Sequence, residues 1–351
     1  MTNCSFPLLE TSPSDRFTHP LGQLGRLLLA LTLIGGSVAG DAVAQTTFPP
    51  TASDEALRAR GRLGVDRMMD GDLDEAVRIF QEIQQADPES PLGYMSEADA
   101  VWWRIYYSTA NLVDPDVFVT PERSTTPHDA RFESLVNTAI AKSEARIKAN
   151  VQVARSYLYQ GTAYGLRGRL AALRYRGLPT ARAGKRMRSL LLKALELDSS
   201  LIDAYAGMGN YNYFVDTLSP IIKFLGFFIG LPGGKRVEGL KQLALCAEKG
   251  DLARAEAKFY LAKNLSRQKE RQYERSFELF QEIEREYPAN PLWPMMVASL
   301  HCRMGHDEAC EKGYRAVLAR TSHSKREVDE ALHRAARFAL QRRHPHEKLS
   351  D

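Results

Sequence analysis

The sequence predicts an all-α chain built as a solenoid of antiparallel helix pairs with irregular insertions, and three observations carry that expectation. Strand signals are nearly absent, since the only β-favouring runs, Val117 to Thr120 and Ile221 to Ile229, are short and isolated. Two stretches 200 residues apart overlay without a gap: Phe80, Gln81, Glu82, Ile83, Pro88, Pro91 and Leu92 recur as Phe280, Gln281, Glu282, Ile283, Pro288, Pro291 and Leu292. Finally, Gly64, Gly161 and Gly209 stand inside helical patterns, where glycine costs about 1 kcal/mol unless a neighbouring helix needs the space.

The 351 residues are 44% hydrophobic and 26% charged, enough to bury a core, and 24 glycines and 17 prolines exclude collagen-like and low-complexity chains. At the N-terminus Arg26 precedes the apolar run Leu27 to Gly40, and Ala42 and Ala44 stand at the small positions of a cleavage site. A basic flank, an apolar run and an A-x-A site are the three parts of a secretory signal, so residues 1–44 are expected to be removed after Ala44 and the chain exported to the periplasm. The run is too short for a membrane span. Residues 45–56 read as a linker. Three cysteines follow the cleavage site, Cys246, Cys302 and Cys310, so at least one thiol is left outside any internal pair.

From residue 57 the helix pairs follow in order. Asp70-Gly71-Asp72 breaks the first pair, and Asp72 or Asp74 puts negative charge at the start of its second helix. Asp87-Pro88 and Tyr287-Pro288 close second helices, because proline cannot continue them. Leu63, Gly64, Ala76, Phe80 and Pro88 carry the spacing of L-G, A-x3-F and P, and over 57–90 the chain resembles the tetratricopeptide repeat. The same frame meets Tyr157, Gly161 and Tyr164, then Tyr205, Met208 and Gly209, then Ala298, Cys310 and Tyr314. The resemblance covers roughly residues 57–320 and is close only in the first and last units.

Insertions interrupt the repeat. A proline-rich loop spans 108–128, the aromatic helix from Asn210 runs into the apolar segment Pro220 to Leu231, and 321–351 holds a polar capping helix, Arg326 to Arg342, and a tail. Trp102, Trp103, Tyr106 and Tyr107 lie on two faces of one helix, and the loop 108–128 is expected to cover them.

The resemblance implies a concave face lined by first helices, where family members hold peptides. Carried over by position, that lining is Arg155, Leu158 and Thr162, then Asp203, Asn210, Tyr213 and Phe214, then Ser299 and Arg303. From Leu166 to Leu195 there are nine basic residues and no acid, and Arg174, Arg176, Arg182, Lys185, Arg186 and Arg188 form a basic patch that suits an anionic surface, or a solvated helix face. An exported chain makes nucleic acid an unsuitable partner. Gly184-Lys185 resembles a phosphate loop but fails its spacing, and Arg186 stands where a hydroxyl should bind magnesium. His301, Cys302, His306 and Cys310 match no standard zinc spacing, leaving a Cys302 to Cys310 disulfide, free thiols or a metal as the alternatives. HExxH and G-x-S-x-G are absent from the expected mature chain. No cofactor, metal or catalytic residue is therefore nominated. The expected function is a non-enzymatic envelope scaffold binding a protein or peptide; the alternative is a ligand-binding component of an envelope transport or cell-wall system, with a pocket between the Tyr205 to Phe214 helix and segment 221–231.

Overall fold

A computed structural model of the chain describes residues 53–108, 112, 114, 125–220, 223, 226–227 and 230–344; among them are thirteen helices and no strand. The expected signal segment, nearly all of the linker, most of the 108–128 loop, much of 220–231 and the tail from 345 lie outside the described residues. The helices are α1 (Asp54–Met69), α2 (Leu73–Ala86), α3 (Pro91–Tyr107), α4 (Asp129–Lys148), α5 (Val153–Leu173), α6 (Gly177–Leu197) and α7 (Ala204–Thr217). They continue as α8 (Arg236–Lys249), α9 (Arg254–Leu265), α10 (Tyr273–Glu286), α11 (Leu292–Met304), α12 (Asp307–Thr321) and α13 (Glu327–Arg343). Each packs against the next in sequence, as in an α-solenoid. None of the helices among the described residues is long and apolar enough to cross a membrane.

Local chemistry sets the boundaries. The Ser53 hydroxyl accepts from the Ala56 N–H at 3.2 Å, so α1 begins at Asp54, inside the expected linker. Asp72, rather than Asp74, caps α2 by accepting from the Glu75 N–H at 3.2 Å. Gly71 supplies the left-handed backbone (φ +78°) between α1 and α2. Ser90 and Asn290 occupy equivalent positions in the duplication and do the same work: each accepts from the N–H two residues on, Leu92 at 3.3 Å and Leu292 at 3.0 Å.

The interior glycines are packing residues. A Cβ at Gly64 would enter the Phe80 ring of α2, one at Gly161 would lie 2.7 Å from Leu191 of α6, and one at Gly209 would lie 2.8 Å from the Gly239 carbonyl of α8. In each case a first helix gives way to the second helix of its pair. In the last unit Ala298 faces Gly313 rather than Cys310, because Cys310 is bonded to Cys302 across the α11–α12 turn, with Cα atoms 5.0 Å apart. Cys246 is buried and free.

The array does not stay open. The α10–α11 turn docks onto the α1–α2 turn, where the Asn290 amide and the Trp293 indole both donate to the Met69 carbonyl, at 2.9 and 3.1 Å. Asn290 also donates to the Tyr107 hydroxyl at 3.0 Å, and the Tyr287 hydroxyl donates to Asp66 at 3.2 Å. On the far side of α1, Arg58 and Arg62 both pair with Asp251. Closure buries α3 and α9 on nearly all sides. Trp103 lies against Phe259 of α9 and Trp293 of α11, with ring centroids 5.3 and 6.4 Å away. Of the 108–128 loop expected to cover this group, most lies outside the described residues; the described Leu112 is buried, and its carbonyl accepts from the Tyr106 hydroxyl at 3.0 Å. Helix α13 buries Val328, Leu332 and Leu340, and its exposed face is polar apart from Phe338, whose ring lies under Arg342.

Because Asn290 both caps α11 and ties it to the first pair, Asn290→Ala is expected to cost about 2 kcal/mol, against about 1 kcal/mol for Ser90→Ala, which removes the cap alone. Urea denaturation of both variants checks the ordering.

Candidate functional site

Helices α1, α3, α5, α6, α7 and α9 line a cavity of about 900 Å³ that opens to solvent, within the range of small-molecule sites. Small residues at its walls let α6 approach closely: a Cβ at Gly165 of α5 would lie 2.9 Å from Met187, and one at Gly207 of α7 would lie 2.5 Å from Leu191. The walls are mainly apolar, with Met68, Met95, Leu158, Met187, Leu218 and Leu231 among them.

One polar cluster breaks the apolar lining. The Arg169 guanidinium donates to both oxygens of Glu256, at 2.6 and 3.0 Å, and reaches Asp99 at 3.4 Å. Its face also lies over the Tyr260 ring, 5.1 Å from the centroid. Glu256 is buried, and Asp99 keeps 22% of its side-chain surface accessible, directed into the cavity it lines. Burial, reinforced by the Glu256 charge and only partly opposed by Arg169, pushes the Asp99 carboxyl up to about 8. Asp99 therefore holds its proton to higher pH than an ordinary carboxyl, and its protonated form presents a hydrogen-bond donor to the cavity as well as an acceptor.

The cavity opens where α5 hands over to α6. Tyr175, Arg176, Gly177 and Leu178 all line it and are all exposed to solvent. Across the opening stand Gly226 and Leu231, and the Tyr211 hydroxyl donates to the Pro232 carbonyl at 2.6 Å, which ties the segment after α7 to that helix.

Five of the residues expected on the concave face, Leu158, Thr162, Asp203, Asn210 and Phe214, come together in this cavity. Asp203 has a structural task there: its carboxylate accepts from the N–H groups of Asp251, Leu252 and Ala253 at 2.6, 3.0 and 3.3 Å, satisfying the backbone that leads into α9. Burial pushes its carboxyl up even against those three bonds. The Asn210 side-chain oxygen is buried and has no hydrogen-bond partner among the described residues. Tyr213 is fully buried with its hydroxyl 3.2 Å from Glu270, and Arg267 lies over the rings of Tyr213 and Phe214. Arg155 pairs with Asp54. Ser299 and Arg303 stand apart from the cavity on α11, Ser299 beside the Tyr314 hydroxyl and Arg303 over the Tyr273 ring.

The basic run divides in two. Arg174 is buried and paired with Asp129 at 2.7 Å, and Arg188 lies over the Tyr211 ring. Arg176, Arg182, Lys185 and Arg186 are exposed along the start of α6. No group of three or more His, Cys, Asp or Glu side chains able to hold a metal occurs among the described residues.

Sequence reasoning missed Asp99, Arg169 and Glu256. A lone charged residue on a helix reads as solvated, and Arg169 was counted with the basic run. The glycine spacing of α5, Gly161, Gly165 and Gly168, marks the face that packs closely on Leu191, Met187 and Ala183 of α6 rather than the buried charges. Among known proteins, no family model matches the chain and no curated protein is significantly similar to it.

The Asp99 carboxyl has a pH consequence of definite sign. Its folded pKa lies above its ordinary value of 3.8, so the folded state holds a proton that the unfolded chain releases, and stability falls as pH rises from about 4 to about 8. In Asp99→Asn that part of the decline is expected to disappear, as read by urea midpoints measured across this pH interval.

Proposed function

We propose that this chain is an exported ligand-binding protein with a tetratricopeptide-like solenoid fold, and that its interior cavity takes an apolar molecule of drug or lipid-chain size carrying one polar group. The observation that carries this reading is the 900 Å³ apolar cavity lined by the helices of the array, with the Asp99, Arg169 and Glu256 cluster as its polar feature. An apolar site with a few convergent polar groups is the usual form of a small-molecule site. Asp99 offers a donor to a carbonyl, hydroxyl or phosphate oxygen, and the apolar walls reward burial of a hydrocarbon body.

The task proposed is binding rather than catalysis. An envelope location is supported by the signal-like N-terminus and by the Cys302 to Cys310 disulfide, a bond that persists in oxidising compartments. A scaffold holding an envelope protein or peptide needs an open concave groove. In this chain Leu158, Thr162, Asp203, Asn210 and Phe214 border one apolar cavity of small-molecule size and the other residues expected to line that groove make internal contacts, which is why the ligand-binding reading is placed first.

Thr162 lines the cavity and makes only an intrahelical hydrogen bond, to the Leu158 carbonyl at 3.1 Å. Thr162→Phe should fill part of the space, weakening saturable binding of the apolar fluorophore N-phenyl-1-naphthylamine by roughly tenfold or more, a change of about 1.4 kcal/mol, while leaving the thermal midpoint unchanged or higher. Fluorophore that fails to saturate on the parent chain, or binds the variant equally well, would count against the cavity as the site.

A further inference from the structure

The rim of the cavity carries two features. The first is exposed apolar surface: Tyr175 is 58% exposed, Leu178 45% and Phe227, next to the lining residue Gly226, 76%. The second is charge. Arg176, Arg182, Lys185 and Arg186 are exposed on the same stretch, and Arg176, Arg182 and Arg186 form no ion pair among the described residues. The sequence from Arg167 to Leu195 contains no acid to offset them. Lys185 lies close to the far side of the opening, its Nζ 3.1 Å from where a Cβ on Gly230 would stand.

Tyr175 follows the last turn of α5, where its N–H donates to the Ala172 carbonyl at 3.1 Å and the Arg176 N–H to the Ala171 carbonyl at 2.8 Å. This is the helix-ending geometry whose left-handed residue is usually glycine. Tyrosine adopts it here with φ +59° and keeps more than half of its surface exposed at the mouth.

From this juxtaposition of exposed apolar side chains, unpaired cations and a cavity mouth, we infer that the start of α6 docks on an anionic lipid surface and that the ligand passes between bilayer and cavity through this mouth. Tyrosine and leucine enter the interfacial layer while the arginines meet the headgroups, the arrangement of peripheral membrane-binding surfaces. The inference rests on the cavity being a ligand site, and it adds the source of the ligand and the side from which it arrives.

The test compares co-sedimentation of the full chain with vesicles of phosphatidylcholine alone and with added phosphatidylglycerol, using variants that share the same N-terminal segment. The parent chain should sediment with the anionic vesicles and be released by salt. The triple variant Arg176→Ser, Arg182→Ser, Arg186→Ser should bind on the order of tenfold more weakly or less. Tyr175→Gly should bind several-fold more weakly with a thermal midpoint equal to or above that of the parent, a combination that a merely structural role would not give. Equal sedimentation of the triple variant, or equal binding to neutral vesicles, would overturn the inference. So would a self-association measured by analytical ultracentrifugation and lost in Tyr175→Gly, which would make the rim an interface between copies. N-phenyl-1-naphthylamine binding, read in the absence of vesicles, keeps the two ideas apart: vesicle failure with the fluorophore still bound refutes docking alone, and loss of both refutes the cavity reading as well.

Discussion

A single backbone carbonyl holds the two ends of this array together. Met69 ends α1, and its oxygen receives both the Asn290 amide and the Trp293 indole. A helix-terminal carbonyl needs a partner when it is buried. Here the partners arrive from more than two hundred residues away and bring α10 and α11 with them. With that contact go the aromatic packing of Trp103, Phe259 and Trp293 and the burial of α9 among other helices.

Inside that enclosure the electrostatics take a form that an open groove would not permit. Arg169 faces two carboxyls in a space with little water, and the three groups cannot all carry charge at low cost. The bidentate pair with Glu256 is retained, and the upward shift falls on Asp99, the group farther from the guanidinium. The cluster is rich in hydrogen-bonding capacity. It can therefore orient a polar group on a ligand without imposing a large desolvation penalty on an ion.

The elements of the fold were legible in the sequence because their causes are local. Asp72 and Ser90 cap helices with their own side chains, Gly71 makes its turn by its own backbone freedom, and Gly64 and Gly161 mark helix pairs near in sequence. Closure was not legible, since nothing near Asn290 indicates that its amide will reach Met69 as well as capping its own helix. The site was legible in part. The positional frame gathers Leu158, Thr162, Asn210 and Phe214 because they sit on inward helix faces, whereas Ser299 and Arg303 obey the same frame in a unit that the closure turns away from the cavity. The buried charges escaped notice because a paired and an unpaired arginine look alike until the chain is folded. The basic run showed this most plainly, combining a core ion pair at Arg174 with solvated cations eight to twelve residues further on at Arg182 and Arg186.

Ring-like closure also governs how such a chain can come into being. An open solenoid gains stability one repeat at a time and tolerates units being added or lost, because each touches only its neighbours. In this molecule the first helix pair finds its seat only when residues 287–293 have arrived, so the final assembly depends on contacts of very long sequence separation, which form late and slowly. The number of units is correspondingly fixed, since one inserted pair would displace the seat from Met69. A nascent or freshly translocated chain would hold a fair set of helices and no container. Its capacity to enclose a molecule would arise in one step, near the end of folding.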